Sequence, residues 1–161
     1  QFAKESSEKM QAPMCYCKNM SVDAILHYYA GQLEDAGVSF HHSIEVPQKM
    51  KITDLDICRI FGNLLENAVR AVKADKETEE PYVNCICRVR MGKLLIDIEN
   101  SYSGEVRRNG DVFYSTSHSG QGIGTASVSK TAEKYGGYAD FEASEGVFRA
   151  NVFIPLENSG S

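Results

Sequence analysis

Apolar residues recur along this chain with two periods, and the switches between them mark its elements. Val22, Ile25, Leu26, Tyr29 and Leu33 keep to one face of a 3.6-residue period. That predicts a helix of about four turns, capped at Ser21 and stopped at Gly37. Val38, Phe40, Ile44 and Val46 then alternate up to Pro47, so 38–46 reads as a strand. Thr53 opens a second helix, with Asp54 and Asp56 in its first turn where they favour the helix dipole. Ile57, Ile60, Phe61, Leu64, Ala68 and Ala71 form its apolar stripe, and it runs to about Lys73. Residues 74–81 are a charged connector. Alternation returns over Tyr82–Arg90, turns at Met91-Gly92-Lys93, and continues over Leu94–Glu99 to Asn100.

From Gly104 the texture becomes polar for about twenty residues, the length of a functional loop or lid. It ends at Gly120-Gln121-Gly122-Ile123-Gly124-Thr125, and a helix follows directly, with Ala126, Val128, Ala132 and Tyr135 as its apolar positions and Gly136-Gly137 as its end. Two alternating strands, 138–143 and 147–155, close the pattern. Residues 1–14 read as a linker or the end of an upstream helix, 15–156 as one domain, and 157–161 as a tail. The start at Gln1 and the Asn-Ser-Gly-Ser end suggest a piece of a longer protein.

Composition narrows the function. A formal charge of −5 argues against a nucleic-acid binder, and no apolar run spans a bilayer. Five cysteines include Cys85 and Cys87 on one face of a strand, read as buried thiols in a reducing compartment. With Cys15 and Cys17 they lack zinc-site spacing. His41 and His42 are adjacent on a strand and point to opposite faces, poor geometry for joint metal binding.

The candidate chemistry lies on the second helix. Asn63, Asn67 and Arg70 stand at i, i+4 and i+7, lining up beside the apolar stripe. Asparagine is poor in a helix interior because its amide competes for backbone hydrogen bonds. The pair fits either solvated amides beside a surface arginine, or a ligand site in which amide oxygens hold a hydrated Mg²⁺ and the phosphates it bridges. The alternate glycines at 120, 122 and 124 open a helix, where backbone N–H groups can surround an anion; a turn that merely packs closely needs the same glycines. A Walker A loop is excluded because no lysine follows them, and a dinucleotide fingerprint because no strand precedes them.

Together these pieces resemble the gyrase, chaperone, histidine kinase and MutL ATPase superfamily. Asn63-Leu64-Leu65-Glu66-Asn67-Ala68-Val69-Arg70 is similar to the histidine-kinase asparagine box. Asn100 stands where the family carries its adenine-reading aspartate, Phe113-Tyr114-Ser115-Thr116 resembles the aromatic lid motif, and Gly120-x-Gly122-x-Gly124 matches the second glycine box. The resemblance covers roughly residues 15–156. It implies an α+β fold, the two-layer α/β sandwich called the Bergerat fold, with a mixed, mostly antiparallel sheet of about five strands on about three helices and an ATP lid. Within the superfamily the chain looks most like catalytic domains of membrane-bound quorum-sensing peptide receptors, through Tyr16-Cys17-Lys18-Asn19 and a reduced first glycine box in which Tyr102 replaces a glycine.

The resemblance also implies roles. Asn67 would bind Mg²⁺, Asn63 would support its water shell or a phosphate, and Arg70 would contact phosphate. Asn100 would face the adenine amino group with an uncharged oxygen, which implies weak ATP affinity. Gly120, Gln121, Gly122, Ile123, Gly124 and Thr125 would wrap the phosphates. Asn63 stands where gyrase-type members carry the glutamate that activates water, and an amide cannot take that proton. The implied reaction is therefore phosphoryl transfer from ATP to a histidine, with Asn63 and Asn67 as catalytic residues. That histidine would lie on a dimerisation domain of the full-length protein, because His27, His41, His42 and His118 all fall within this domain. The implied partners are that domain and a response regulator; the piece itself would be monomeric, the full protein a homodimer, and the domain the cytoplasmic part of a membrane-bound sensor. A nucleotide-sensing scaffold without phosphotransfer and an anti-sigma-type serine kinase are the alternatives.

Overall fold

A computed structural model describes residues 13–103, 106–109, 112–115 and 121–156. The elements are α1 (Met20–Asp35), β1 (Ser39–Ile44), α2 (Asp54–Ala74), β2 (Tyr82–Arg90), β3 (Lys93–Ser101), β4 (Val106–Asn109), β5 (Val112–Ser115), α3 (Gln121–Lys134), β6 (Tyr138–Ser144) and β7 (Val147–Pro155). Gly120, His118, the first twelve residues and the tail at 157–161 lie outside the described residues.

Five strands form one sheet in the order β1-β2-β3-β7-β6. β1 and β2 run parallel, and the other neighbours antiparallel. A parallel pair needs a crossover, and α2 supplies it. The β2–β3 and β6–β7 hairpins each turn on two residues with positive φ, Met91-Gly92 (52° and 75°) and Glu145-Gly146 (50° and 79°). Two such residues make the tight turn whose twist suits a hairpin. One face of the sheet carries Val83, Cys85, Cys87, Leu94, Ile96, Ile98, Val152 and Ile154, all buried. Ile57, Ile60, Phe61, Leu64 and Leu65 of α2 and Val128 and Ala132 of α3 belong to the same buried cluster. The expected α+β two-layer sandwich is thus present, and Cys85 and Cys87 are free thiols in its core.

Two expectations change. The first helix is capped by Asn19 rather than Ser21: Asn19 Oδ1 accepts from the Val22 N–H at 3.1 Å while its Nδ2 donates to the Pro47 carbonyl at 3.0 Å. An amide can both cap the helix and tie it to the loop after β1; a hydroxyl at position 21 reaches neither partner. The polar stretch after Gly104 is not loop throughout, because β4 and β5 pair as an antiparallel hairpin. Gly110-Asp111 between them is the hairpin signal in the sequence.

Candidate functional site

The site forms where α3 runs back along α2. At the start of α3, a methyl group built on Gly124 would lie 3.2 Å from Asn67 Oδ1 and 3.4 Å from its Nδ2. One turn on, Asn63 Nδ2 donates to Ser127 Oγ at 3.4 Å. At the far end, Lys134 Nζ donates to Asp56 Oδ2 at 2.8 Å, and the Tyr135 hydroxyl donates to the same oxygen. The Thr53 N–H donates to that hydroxyl at 3.2 Å. The two helices are therefore antiparallel, and the amides of Asn63 and Asn67 face the first turns of α3. Both amides are half-buried there.

The glycine box is part of α3 rather than a loop ahead of it, since the helix begins at Gln121. The N–H groups of Gln121, Gly122, Ile123 and Gly124 are then the four that a helix leaves without an internal partner. They sit at the positive end of its dipole, beside Asn67. Thr125, in the first turn of α3, is 1% exposed.

Asn100 ends the helix-facing row of β3 and is 3% exposed. Its Nδ2 donates to the Ser101 carbonyl at 2.9 Å, so its oxygen is the atom oriented to accept. Two residues beyond β3, Ser103 Oγ donates to Asp75 Oδ1 at 2.5 Å. Asp75 caps the C-terminus of α2, so Asn100 and the C-terminal half of α2 share one end of the molecule. Arg70 is placed differently from its neighbours. Its Nε donates to Glu66 Oε2 at 2.8 Å, and Glu66 in turn engages Tyr29 of α1. Burial, followed by that hydrogen bond, pushes the Tyr29 phenol up to about 12.

The sequence reading missed Asp56 as anything but a dipole partner. It is 2% exposed, and Arg59 joins Lys134 and Tyr135 on it, NH1 to Oδ1 at 2.9 Å. The hydrogen bonds from Lys134 and then Tyr135 hold its carboxyl at about 2, against the pull of burial. Extending the Asn63–Asn67 line backward by seven residues reaches Asp56, and that spacing was the available signal. Between the helices, Asp56, Arg59, Ser127, Lys130, Thr131 and Lys134 line an open groove of about 300 Å³.

Among the described residues no group of His, Cys, Asp or Glu side chains could hold a metal by itself. The donor set that remains is amide oxygen, a hard ligand suited to Mg²⁺ when substrate phosphates complete the shell. The contact at Gly124 fits this group, because any side chain there would occupy the space next to the Asn67 oxygen.

The GHKL domain family matches residues 50–155. The fold is that of histidine-kinase catalytic domains. The nucleotide-free catalytic domain of the histidine kinase ThkA superposes with a TM-score of 0.65 at 15% identity, covering 86% of this chain and 92% of that one. The Acinetobacter baumannii histidine kinase AdeS gives 0.64 at 15% identity, covering 86% of this chain and 64% of that one. The histidine kinase domain of the blue-light-activated histidine kinase EL346 from Erythrobacter litoralis gives 0.61 at 14% identity, covering 94% and 69%. No curated protein matches the sequence significantly. No helix among the described residues is long and apolar enough to cross a membrane.

Proposed function

We propose, for a chain that belongs to the GHKL domain family, that residues 15–156 bind Mg-ATP between α2 and α3 and transfer its γ-phosphoryl group to a histidine on a separate dimerisation domain. The observation that carries this reading is the approach of the Asn67 amide to Gly124, where an added methyl group would lie 3.2 Å from its oxygen. A hard oxygen ligand near the first turn of α3, whose N–H groups have no partner within the helix, suits a metal-bound phosphate chain. Asn67 holds the metal and Asn63, already oriented by Ser127, supports its water shell or a phosphate. The N–H groups of Gln121, Gly122, Ile123 and Gly124 hold the phosphate oxygens. Asn100 accepts from the adenine amino group with its free-facing oxygen. Arg70 reaches the phosphates by leaving Glu66, an exposed pair of the kind that contributes little. The bound Mg²⁺ neutralises charge on the phosphates. Catalysis here is positioning, because Asn63 supplies no base for water. The same reading takes the full-length protein as a homodimeric, membrane-bound receptor kinase of the quorum-sensing type, with this domain in the cytoplasm and a response regulator downstream.

The test is titration with a fluorescent ATP analogue, with and without Mg²⁺, on the native chain and on Asn67→Ala. Mg²⁺-dependent binding is expected in the native chain alone; equal binding by both would remove Asn67 from its role. One feature favours a nucleotide-sensing scaffold instead: Asn100 replaces a charged acceptor. Transfer of labelled phosphate from ATP to a supplied dimerisation domain separates the two, and binding without transfer would leave the scaffold.

A further inference from the structure

We infer that Tyr102 is a base-recognition residue, whose ring stacks on the purine that Asn100 reads and so strengthens a site whose polar contact is uncharged. This rests on the nucleotide reading above and deepens it, by giving a role to the side chain that stands where the resemblance leads one to expect glycine.

The backbone sets where that ring goes. Leu94, Ile96, Ile98 and Asn100 alternate along the helix-facing side of β3, and all four are buried. Pairing with β7 continues past the last strand residue: Ser101 stands opposite Val147, and the Tyr102 N–H donates to the Gly146 carbonyl at 3.0 Å. The chain therefore stays extended through Tyr102, and alternation returns its side chain to the face of Asn100. Successive residues on one face lie about 7 Å apart, so the ring begins just beyond the Asn100 amide, toward the end of the sheet.

The surroundings suit a flat apolar ligand. Across the strand pair Asn100 stands opposite Phe148, a half-buried ring stacked on Phe141 at 6.4 Å. Phe148 and Tyr102 are then diagonal neighbours, a spacing that aromatic side chains bridge. Asn100 thus has one aromatic residue beside it on β7 and another ahead of it on its own strand. Opposite Tyr102 is Gly146, at a φ of 79° that favours glycine, so no cross-strand side chain competes for the space.

The segment is also held in place. The Tyr102 N–H is bonded to Gly146, and the next residue, Ser103, is bonded to Asp75 at the end of α2. The Tyr102 side chain itself is half-buried, and among the described residues no hydrogen bond or ring contact engages it. A fixed backbone carrying an adaptable ring can settle against a base without refolding the strand end.

Chemistry gives the contact its purpose. The Asn100 oxygen accepts from an amino group as a neutral acceptor, which makes a weaker bond than a carboxylate does. Stacking on an aromatic face needs no charge, and it acts on the base alone, leaving the phosphate end unaffected.

The experiment is isothermal titration calorimetry in Mg²⁺ with two ligands, ATP and tripolyphosphate, which lacks the base. It is run on the native chain, Tyr102→Phe, Tyr102→Leu and Tyr102→Gly, with a melting temperature for each. Tyr102→Leu and Tyr102→Gly should bind ATP about tenfold more weakly, the effect of losing one stacked ring. Tyr102→Phe should bind within about twofold of native. Tripolyphosphate affinity should stay within about twofold throughout, which a merely structural role would not produce. Native or tighter ATP binding by Tyr102→Gly would show that the ring obstructs the base, and would overturn the inference. Equal losses for ATP and tripolyphosphate would overturn it too, by showing that Tyr102 acts through the fold. In either case the nucleotide site would stand. A native chain that binds neither ligand would remove the parent reading, and this inference with it.

Discussion

Asn67 and Gly124 face each other across the α2–α3 crossing so closely that a methyl group on Gly124 would stand 3.2 Å from the Asn67 oxygen. Within a helix, alanine is favoured over glycine by about 1 kcal/mol, so stability alone gives no reason for glycine here. Gly124→Ala should therefore separate stability from function. The Asn67 side chain can yield by a few tenths of an ångström, so the variant should melt at or slightly above the native temperature. Its Mg²⁺-dependent affinity for a fluorescent ATP analogue should fall about tenfold, because the displaced oxygen is the proposed metal ligand. Native affinity in a stable variant would show that the contact is packing only.

Asp56 gives the fold a defined acid limit. Its carboxyl sits at about 2 in the folded chain against an ordinary 3.8, held down first by Lys134 and then by Tyr135. A carboxyl depressed on folding stabilises the native state above its unfolded value, and the contribution disappears as pH falls through the folded value. The loss should therefore fall between about pH 4 and pH 2. Asp75 shares this window. Burial raises its carboxyl, but hydrogen bonds from Ser103, Thr78 and the N–H groups of Glu77 and Thr78 outweigh that and hold it at about 2. Asp56→Asn should lower the melting temperature at pH 7 by roughly 3–8 °C and flatten the acid limb of the melting profile. An unchanged limb would mean that other carboxylates set it.

Apart from the β4–β5 hairpin, the elements and the Asn63–Asn67 pair were legible in the sequence because each rests on a local period. Ile57 through Ala71 shows its stripe without any partner, and Met91-Gly92 and Glu145-Gly146 fall between alternating runs. What stayed hidden depends on a second segment. Asp56 reads as an ordinary first-turn acid until Lys134 and Tyr135, 78 and 79 residues away, close on it. Asn19 rather than Ser21 caps α1 because Pro47 takes its second bond. Arg70 has the correct spacing for a phosphate contact, and its Nε donates to Glu66 on its own helix.

Gly137, one residue past the turn that ends α3, shows the same dependence on a distant strand. A methyl group there would lie 1.9 Å from the Phe153 carbonyl oxygen and 2.9 Å from its carbon. Both atoms are backbone of β7, so no side-chain rotation relieves the clash. Gly137→Ala should cost about 3 kcal/mol, at the severe end of overpacking, through a shift of the α3–β6 connection. The midpoint of urea unfolding should fall without a change of slope. A midpoint within error of the native chain would show that the connection yields freely.

Asn100 tests whether the amide is an impaired aspartate or is fitted to its own surroundings. Its Nδ2 donates to the Ser101 carbonyl at 2.9 Å in a position only 3% exposed. Asn100→Asp would replace that donor with an acceptor and set a carboxylate oxygen against a carbonyl oxygen without water to separate them. The variant should melt several degrees below the native chain at neutral pH, through the loss of one buried hydrogen bond and the repulsion that follows. Mg-ATP should then raise its melting temperature more than it raises that of the native chain, because the adenine amino group would supply a donor to the buried charge. Thermal melts of both proteins with and without Mg-ATP read both effects. A variant that melts with the native chain, and gains no more from nucleotide, would show that neither the Ser101 bond nor the adenine contact is made by this side chain.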